Sequence, residues 1–108
     1  MKRYCFDIDG TICQSEVGKY EKATPYLHRI EKINKLYDEG HHIIYFTARG
    51  MLTLDGDLIE VYRIWYDVTK DQLSKWGCKY HQLILGKPSA DYYVDDKGIS
   101  DKNFFNQS

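Results

Sequence analysis

The chain has 108 residues, of which 43% are hydrophobic and 29% are charged, a composition that excludes disordered, collagen-like and coiled-coil proteins. Fifteen basic and 16 acidic residues give a net charge of −1, so the counts indicate no basic face large enough to hold nucleic acid by counterion release. A chain of this length buries roughly two-thirds of the surface that its unfolded form exposes, enough for one core and not for two. We therefore predict a single domain over residues 1–108, limited to a bare catalytic core if it is an enzyme.

The cysteines and the termini bear on the compartment. Three cysteines are an odd number and show neither CxxC nor Cys/His ligand spacing, which argues against a disulfide framework and a zinc site. They are Cys5, Cys13 and Cys78. The first apolar run is interrupted at Asp7, too early for a signal peptide, and no run approaches the length of a membrane span. We expect a cytoplasmic protein with no membrane partner.

The first half of the chain predicts a strand and then a helix. Residues 4–8 are rich in aromatic and β-branched side chains and are followed by Gly10, which is typical of a short buried strand. Thr24 followed by Pro25 is typical of a helix N-cap with proline at the first helical position. Apolar residues then recur at helical spacing, which predicts a helix over 25–39.

The second half repeats this alternation. The apolar run at 42–46 predicts a second strand that ends at Thr47, and Asp57 is positioned to cap a longer helix that ends at a glycine. Two short runs, 83–85 and 92–94, predict a third and a fourth strand. The βαβ pattern indicates an α/β fold, in which a largely parallel sheet is flanked by helices. A terminal turn or helix is expected near the last two phenylalanines.

Polar side chains follow the ends of all four predicted strands. They are Asp7, Asp9, Thr47, Lys87, Asp95 and Asp96. In a parallel sheet these positions meet at one edge, and carboxylates that converge there repel each other unless a cation lies between them. Oxygen ligands of this kind suit Mg²⁺, and the lysine and threonine add groups that bind an anion. The sequence therefore predicts a magnesium-dependent phosphate site.

These residues resemble the motifs of a known family. The run Asp7-Ile8-Asp9-Gly10-Thr11 resembles the first motif of the haloacid dehalogenase (HAD) superfamily of Mg²⁺-dependent phosphotransferases. Thr47, Lys87 and the pair Asp95-Asp96 are similar to its other three motifs and come in the same order. The resemblance covers residues 4 to 97 and implies a Rossmann-like, HAD-type parallel sheet.

The resemblance implies a role for each residue of the first motif. Asp7 would attack phosphorus and form an aspartyl-phosphate. Asp9 would act as general acid to the leaving oxygen and then as general base for water, and its backbone carbonyl would bind the metal. Gly10 permits a tight turn that brings backbone N–H groups toward the phosphate, beside Thr11.

The later motifs would complete the site. Thr47 would donate a hydrogen bond to a phosphoryl oxygen, and Lys87 would hold Asp7 and the phosphate together. Asp95 would bind the metal directly, and Asp96 directly or through water, which gives Asp7, Asp9, Asp95 and Asp96 as the metal set. Arg49 either anchors substrate beside the second motif or lies on the surface.

The chain is expected to lack a cap domain. The two positions at which this superfamily carries caps correspond here to 12–24 and 48–56, and both are too short to fold separately. Water must then be excluded by the loops, by a second subunit or by a large substrate. The segment 13–23 is the expected flap.

The choice among substrate classes depends on the family resemblance rather than on the residues alone. The flap and the later motifs look most like those of small bacterial phosphatases of capsule or surface-polysaccharide biosynthesis, which implies a sugar phosphate. The arginine after the second motif is similar to that of polynucleotide 3′-phosphatases, although the balanced charge argues against a nucleic-acid partner. A non-catalytic domain that binds a phosphorylated ligand is the alternative outside enzymes, and the intact Asp7 and Asp9 weigh against it.

Overall fold

Strands and helices alternate along the chain and build a parallel sheet. The computed structural model describes residues 1–106. The strands are β1 (Arg3–Phe6), β2 (Cys13–Gln14), β3 (Thr24–Pro25), β4 (His42–Thr47) and β5 (Gln82–Leu85). The helices are α1 (Leu27–Asp38), α2 (Leu58–Lys75) and α3 (Asp101–Phe105), with one 3₁₀ turn at Tyr20–Lys22. The predicted α/β class is confirmed: a three-stranded parallel sheet is flanked by helices.

The sheet has the order β1-β4-β5, and both pairs of neighbours are parallel. Phe6 lies opposite Tyr45, and Thr47 lies opposite Leu85, so the strands end at nearly the same level. The side chains of β4 at Ile43, Tyr45 and Thr47 are fully buried, as expected for a central strand. This register delivers the residues that follow β1, β4 and β5 to one edge.

Helix α2 forms as the sequence predicts. Asp57 caps it, with its carboxylate accepting a hydrogen bond from the N–H of Glu60, and the helix ends just before Gly77. Val61 and Leu73 of its inner face are fully buried. The predicted second and third strands and the predicted terminal helix are likewise confirmed. Within residues 1–106, no helix combines the length and the apolar character that crossing a membrane requires.

The predicted start of the first helix is wrong. Thr24–Pro25 pairs with Cys13–Gln14 in a two-stranded antiparallel ribbon, and the N–H of Tyr26 donates to the carbonyl of Ile12 at 2.7 Å. The helix begins at Leu27 without a side-chain cap. The backbone hydrogen bonds between the two ends of the flap outweigh the local preference for a helix cap. Proline is compatible with the ribbon because it has no N–H that would be left unpaired.

The predicted fourth strand is also wrong. Residues 92–94 lie outside the sheet, and the first and last of them are 87% and 94% exposed. The segment bonds to itself: the Tyr93 hydroxyl donates to the carbonyl of Pro88 and accepts from the N–H of Ala90. The Asp95 carboxylate accepts from the N–H groups two and three residues later. These bonds fold the residues on either side of 92–94 into local turns rather than into a strand.

Candidate functional site

A pocket of about 320 Å³ opens at the edge of the sheet where the parallel strands end. Its walls come from the segments that follow β1, β4 and β5 and from the flap at 13–23. The lining residues that matter most are Asp7, Asp9, Arg49, Lys87, Ser15 and Tyr20. The structure thus brings together Asp7, Asp9 and Lys87, three of the residues expected at this edge.

Asp7 forms an ion pair with Lys87 at the floor of the pocket. The Lys87 Nζ lies 3.6 Å from the Asp7 Oδ1, and the side chains are 19% and 32% exposed. Burial raises the pKa of the Asp7 carboxyl above its ordinary value, and the positive charge of Lys87 only partly opposes this rise. The ammonium also lies 4.2 Å from the centre of the Tyr93 ring. Because the pair is long and reachable, each partner can still bind a ligand.

The turn after Asp7 depends on Gly10, whose φ of +83° is a conformation that favours glycine. The glycine lines the pocket as expected. Its N–H, however, donates to the carbonyl of Cys13 at 2.8 Å, and that of Thr11 donates to the carbonyl of Ile8 at 3.0 Å. Both amide N–H groups therefore close the local turn and do not face the pocket. Among the residues that the structure describes, Thr11 is not one that lines the pocket.

Thr47 lies beneath the pocket and is fully buried. Its hydroxyl accepts a hydrogen bond from the N–H of Arg49 at 3.1 Å, and its carbonyl accepts one from the N–H of Lys87 at 3.1 Å. The residue orders the two loops that carry these side chains. Its expected contact with a phosphoryl oxygen stays a prediction.

Arg49 does not lie on the surface, so that expectation is wrong, and its expected contact with substrate stays a prediction. Its side chain is fully buried and forms a bidentate pair with Asp9, from Nε to Oδ2 and from Nη2 to Oδ1, both at 2.9 Å. Its Nη1 donates to the Thr69 hydroxyl at 3.3 Å, and the Tyr20 ring centre lies 4.9 Å from the guanidinium carbon. An arginine in the interior needs such a partner because an unpaired buried charge is costly.

The carboxylate of Asp9 is surrounded by donors. Besides Arg49, the Ser15 hydroxyl donates to its Oδ1 at 2.7 Å and the Cys13 thiol at 3.5 Å. Burial, with the nearby Asp9 charge, raises the pKa of the Cys13 thiol to about 12, so the thiol keeps its proton and acts as a donor. Asp9 is therefore held as an acceptor, whereas Asp7 is left accessible.

The acidic pair Asp95 and Asp96 does not reach the pocket. Both residues are exposed, and the Asp95 carboxylate closes a local turn. Within residues 1–106, no group of three or more His, Cys, Asp or Glu side chains is arranged to hold a metal ion. The expected set of four carboxylates is thus split, because the strand predicted to carry the second pair does not join the sheet.

The four carboxylates expected to hold Mg²⁺ are not brought together in this arrangement. Both oxygens of Asp9 accept hydrogen bonds from Arg49, and one oxygen of Asp7 faces Lys87. Mg²⁺ commonly takes only one or two protein carboxylates and completes its coordination with water and substrate phosphate. Asp7, which lines the pocket, would hold the ion, and the ion would offset the charge of a bound phosphate.

The flap lies where the sequence predicts, along one side of the pocket. Ser15, Val17 and Tyr20 line it, and the ring of Tyr20 packs edge-on against Trp65 at 5.0 Å between centroids. The Tyr20 carbonyl accepts a hydrogen bond from the Gln72 side chain at 2.8 Å. Ser15 and Thr69 carry no sequence signal, since no local pattern marks a single hydroxyl that meets a partner six or 20 residues away.

Comparison with known proteins supports the fold. A crystal structure of an MCSG structural-genomics target from Vibrio cholerae superposes with a TM-score of 0.92 and 27% sequence identity, over 100% of this chain and 90% of that one. The fold is α/β. A scan against protein-family models found no match, and a search of curated proteins found none either. The likeness carries the architecture and says nothing about an activity.

Proposed function

We propose that the protein is a phosphomonoester hydrolase that uses Asp7 as its nucleophile. The observation that carries the proposal is an accessible carboxylate that faces an ammonium group at 3.6 Å, in a pocket at the carboxyl edge of a parallel sheet. The sequence motif around Asp7 and its resemblance to the HAD superfamily support the same chemistry. The pocket lies at the small end of the ~300–1,000 Å³ that ligand sites commonly occupy, which suits a small phosphorylated metabolite.

The reaction would proceed in two displacements. An Asp7 oxygen attacks phosphorus, the bond from phosphorus to the ester oxygen breaks, and the leaving oxygen takes a proton. Water then attacks the phosphorus of the aspartyl-phosphate and gives up a proton, which releases inorganic phosphate and regenerates the Asp7 carboxylate. Lys87 offsets the negative charge of the phosphoryl group beside Asp7.

Asp9 is the proposed proton donor and acceptor for these steps. It lines the same pocket, and its side chain is 24% exposed. Both of its oxygens accept hydrogen bonds, so a proton transfer through Asp9 would have to displace one of these donors.

A requirement for Mg²⁺ is part of the proposal and comes from the family resemblance. A sugar phosphate of polysaccharide biosynthesis is the proposed substrate on the same ground. A cytoplasmic location agrees with the three free thiols at Cys5, Cys13 and Cys78. The pocket is open on one side, so the substrate itself or a second copy of the chain would have to exclude water.

A second candidate is a domain that binds a phosphorylated ligand without turnover. The observation that favours it is the saturated state of Asp9, which accepts bonds from three side chains. The polynucleotide 3′-phosphatase alternative is less favoured, because the side chain of the arginine that suggested it is fully buried and paired with Asp9.

The deciding experiment measures phosphate release by the purified protein, with Mg²⁺ and with a chelator. The panel is a generic aryl phosphate, sugar phosphates, nucleotides and 3′-phosphorylated oligonucleotides. We expect Mg²⁺-dependent release that Asp7→Asn abolishes and that Asp67→Asn, an exposed carboxylate on α2, leaves unchanged. Turnover by the Asp7→Asn variant would contradict the nucleophile, and turnover in the chelator would contradict the metal requirement. Binding of phosphate esters without turnover, lost in Lys87→Ala, would favour the second candidate.

A further inference from the structure

The guanidinium of Arg49 is enclosed, and each of its three nitrogens donates a hydrogen bond to a neighbouring side chain. Its Nε and Nη2 donate to Asp9, its Nη1 donates to Thr69, and its side chain is fully buried. The aromatic ring of Tyr20 lies over it. Arg49 therefore acts on the pocket through its neighbours rather than by direct contact with a phosphate.

The flap is attached to the same carboxylate. Ser15 and Cys13, which both belong to the flap, donate to the Asp9 Oδ1 that also accepts from Arg49. Tyr20, at the far end of the flap, packs on the guanidinium itself. Asp9 and Arg49 thus connect the loop after β1, the loop after β4 and the flap at one point.

Helix α2 supplies the fixed end of this arrangement. Thr69 accepts a bond from Arg49, Trp65 packs edge-on against Tyr20, and Gln72 donates to the Tyr20 carbonyl. These three positions are spaced at three and four residues, so they share one face of the helix. The guanidinium is held between this rigid face and the carboxylate.

We propose that Arg49 is a positioning residue, which fixes the Asp9 carboxylate at the pocket wall and through it holds the flap beside Asp7. The bidentate pair defines the plane of the carboxylate, which a single bond would leave free to rotate. The buried guanidinium also links the flap to the loop after β4, because Arg49 belongs to that loop and contacts Tyr20 of the flap. The proposal rests on the proposed function, since the use of Asp9 in proton transfer is part of that function.

The test compares Arg49→Gln and Arg49→Lys with Arg63→Gln, an exposed arginine whose pair with Glu60 lies within one helix. Amide hydrogen exchange of residues 13–23 reports on the flap, and exchange of β4 and α1 reports on the fold. We expect faster exchange confined to the flap in Arg49→Gln, a smaller change in Arg49→Lys and none in Arg63→Gln. A loss of protection spread evenly over the fold would overturn the positioning role.

Kinetics supply a second readout. We expect kcat to fall on the order of 10- to 100-fold in Arg49→Gln, because a small misplacement of a catalytic group has effects of this size. KM should change little, since Lys87 still meets the phosphate, and Arg49→Lys should recover part of kcat. A rise in KM with unchanged kcat would instead indicate substrate binding and overturn the proposal.

Ser15→Ala keeps the proposal testable if Arg49→Gln does not fold. It leaves the Asp9–Arg49 pair intact and removes one bond from the flap to Asp9. We expect faster exchange in the flap with unchanged thermal stability, and wild-type exchange in both Ser15→Ala and Arg49→Lys would overturn the proposal. The exchange measurement needs no substrate. A wild-type protein without turnover whose flap still loosens in Arg49→Lys would therefore contradict the proposed function and support the positioning role.

Discussion

Two ion pairs meet at the same edge of the sheet, and they are built in opposite ways. Asp7 and Lys87 lie 3.6 Å apart in a pair whose members are both reachable from solvent. Asp9 and Arg49 share two bonds of 2.9 Å, and the arginine is fully buried. The two carboxylates are only two residues apart along the chain and are similarly exposed, at 32% and 24%, yet one has a single long ion pair and the other accepts bonds from three side chains.

The difference separates a chemical role from a positional one. A long pair in a pocket can exchange its partner for a ligand, because little is lost when the two groups move apart. A bidentate pair with a buried arginine cannot be opened without leaving a charge unpaired in the interior. We therefore expect substitutions at the two pairs to change different measured quantities.

The largest contrast is expected in stability between Asp9→Asn and Asp7→Asn. Asp9→Asn leaves the buried guanidinium without a carboxylate and should lower the free energy of unfolding by about 3–5 kcal/mol. Asp7→Asn removes a charge whose burial is unfavourable, so the free energy of unfolding should stay the same or rise. Urea unfolding monitored by circular dichroism measures both. Equal losses in the two variants would mean that the pairs are not distinct.

The next effect is expected at Lys87. Because the Lys87 charge opposes the rise in the pKa of the Asp7 carboxyl, Lys87→Gln should raise that pKa further. The acid limb of the pH–rate profile would then move to higher pH, and turnover at neutral pH would fall by about 100-fold as the phosphate loses its cation. Steady-state rates between pH 4 and pH 8 test this. An acid limb that moves to lower pH would contradict the assignment.

A smaller effect should appear in the pH dependence of stability. The folded state binds the Asp7 proton more tightly than the unfolded state, because burial raises the pKa of this carboxyl. Its contribution to stability is therefore full below the unfolded pKa and is lost as the pH rises through the raised folded pKa. The melting temperature of the wild-type protein should fall relative to that of Asp7→Asn across this interval. A constant difference between the two proteins would show that Asp7 has an ordinary pKa.

The smallest effect is expected at the helix surface. Arg63 pairs with Glu60 one turn away on α2, and both side chains are open to solvent. Exposed pairs of this kind contribute little because water and salt screen them. Arg63→Gln should leave the melting temperature and the rate of hydrolysis unchanged. A clear loss in either would show that exposed ion pairs also contribute to stability or activity in this protein.

Several elements of the fold could be predicted because their signals are local. The cap at Asp57 and the apolar spacing after it depend on residues within a few turns, and they predict α2 correctly. The apolar run that ends at Thr47 predicts β4 for the same reason. The positions of Asp7 and Lys87 follow from the rule that parallel strands end at one edge.

Other elements could not be predicted from local signals. Thr24–Pro25 has the residues of a helix cap, but pairing with Cys13–Gln14 takes these residues into a ribbon. The run at 92–94 has the composition of a strand, but its neighbours bond to their own segment and leave it exposed. In the first case a backbone partner 10 or more residues away decides the structure, and in the second the turns on either side keep the run outside the sheet.

By itself, the sequence determined the α/β alternation and the meeting of Asp7, Asp9 and Lys87, since periodicity and strand polarity are properties of the chain. Only the tertiary structure decided which carboxylate would be tied into a bidentate pair. Arg49 is one more loop arginine in the sequence, and it becomes the partner of Asp9 because β1 and β4 lie side by side while α2 covers the guanidinium. A buried charge has to be paired, so Arg49 takes Asp9 as its partner, whereas Asp7 keeps only the longer contact with Lys87.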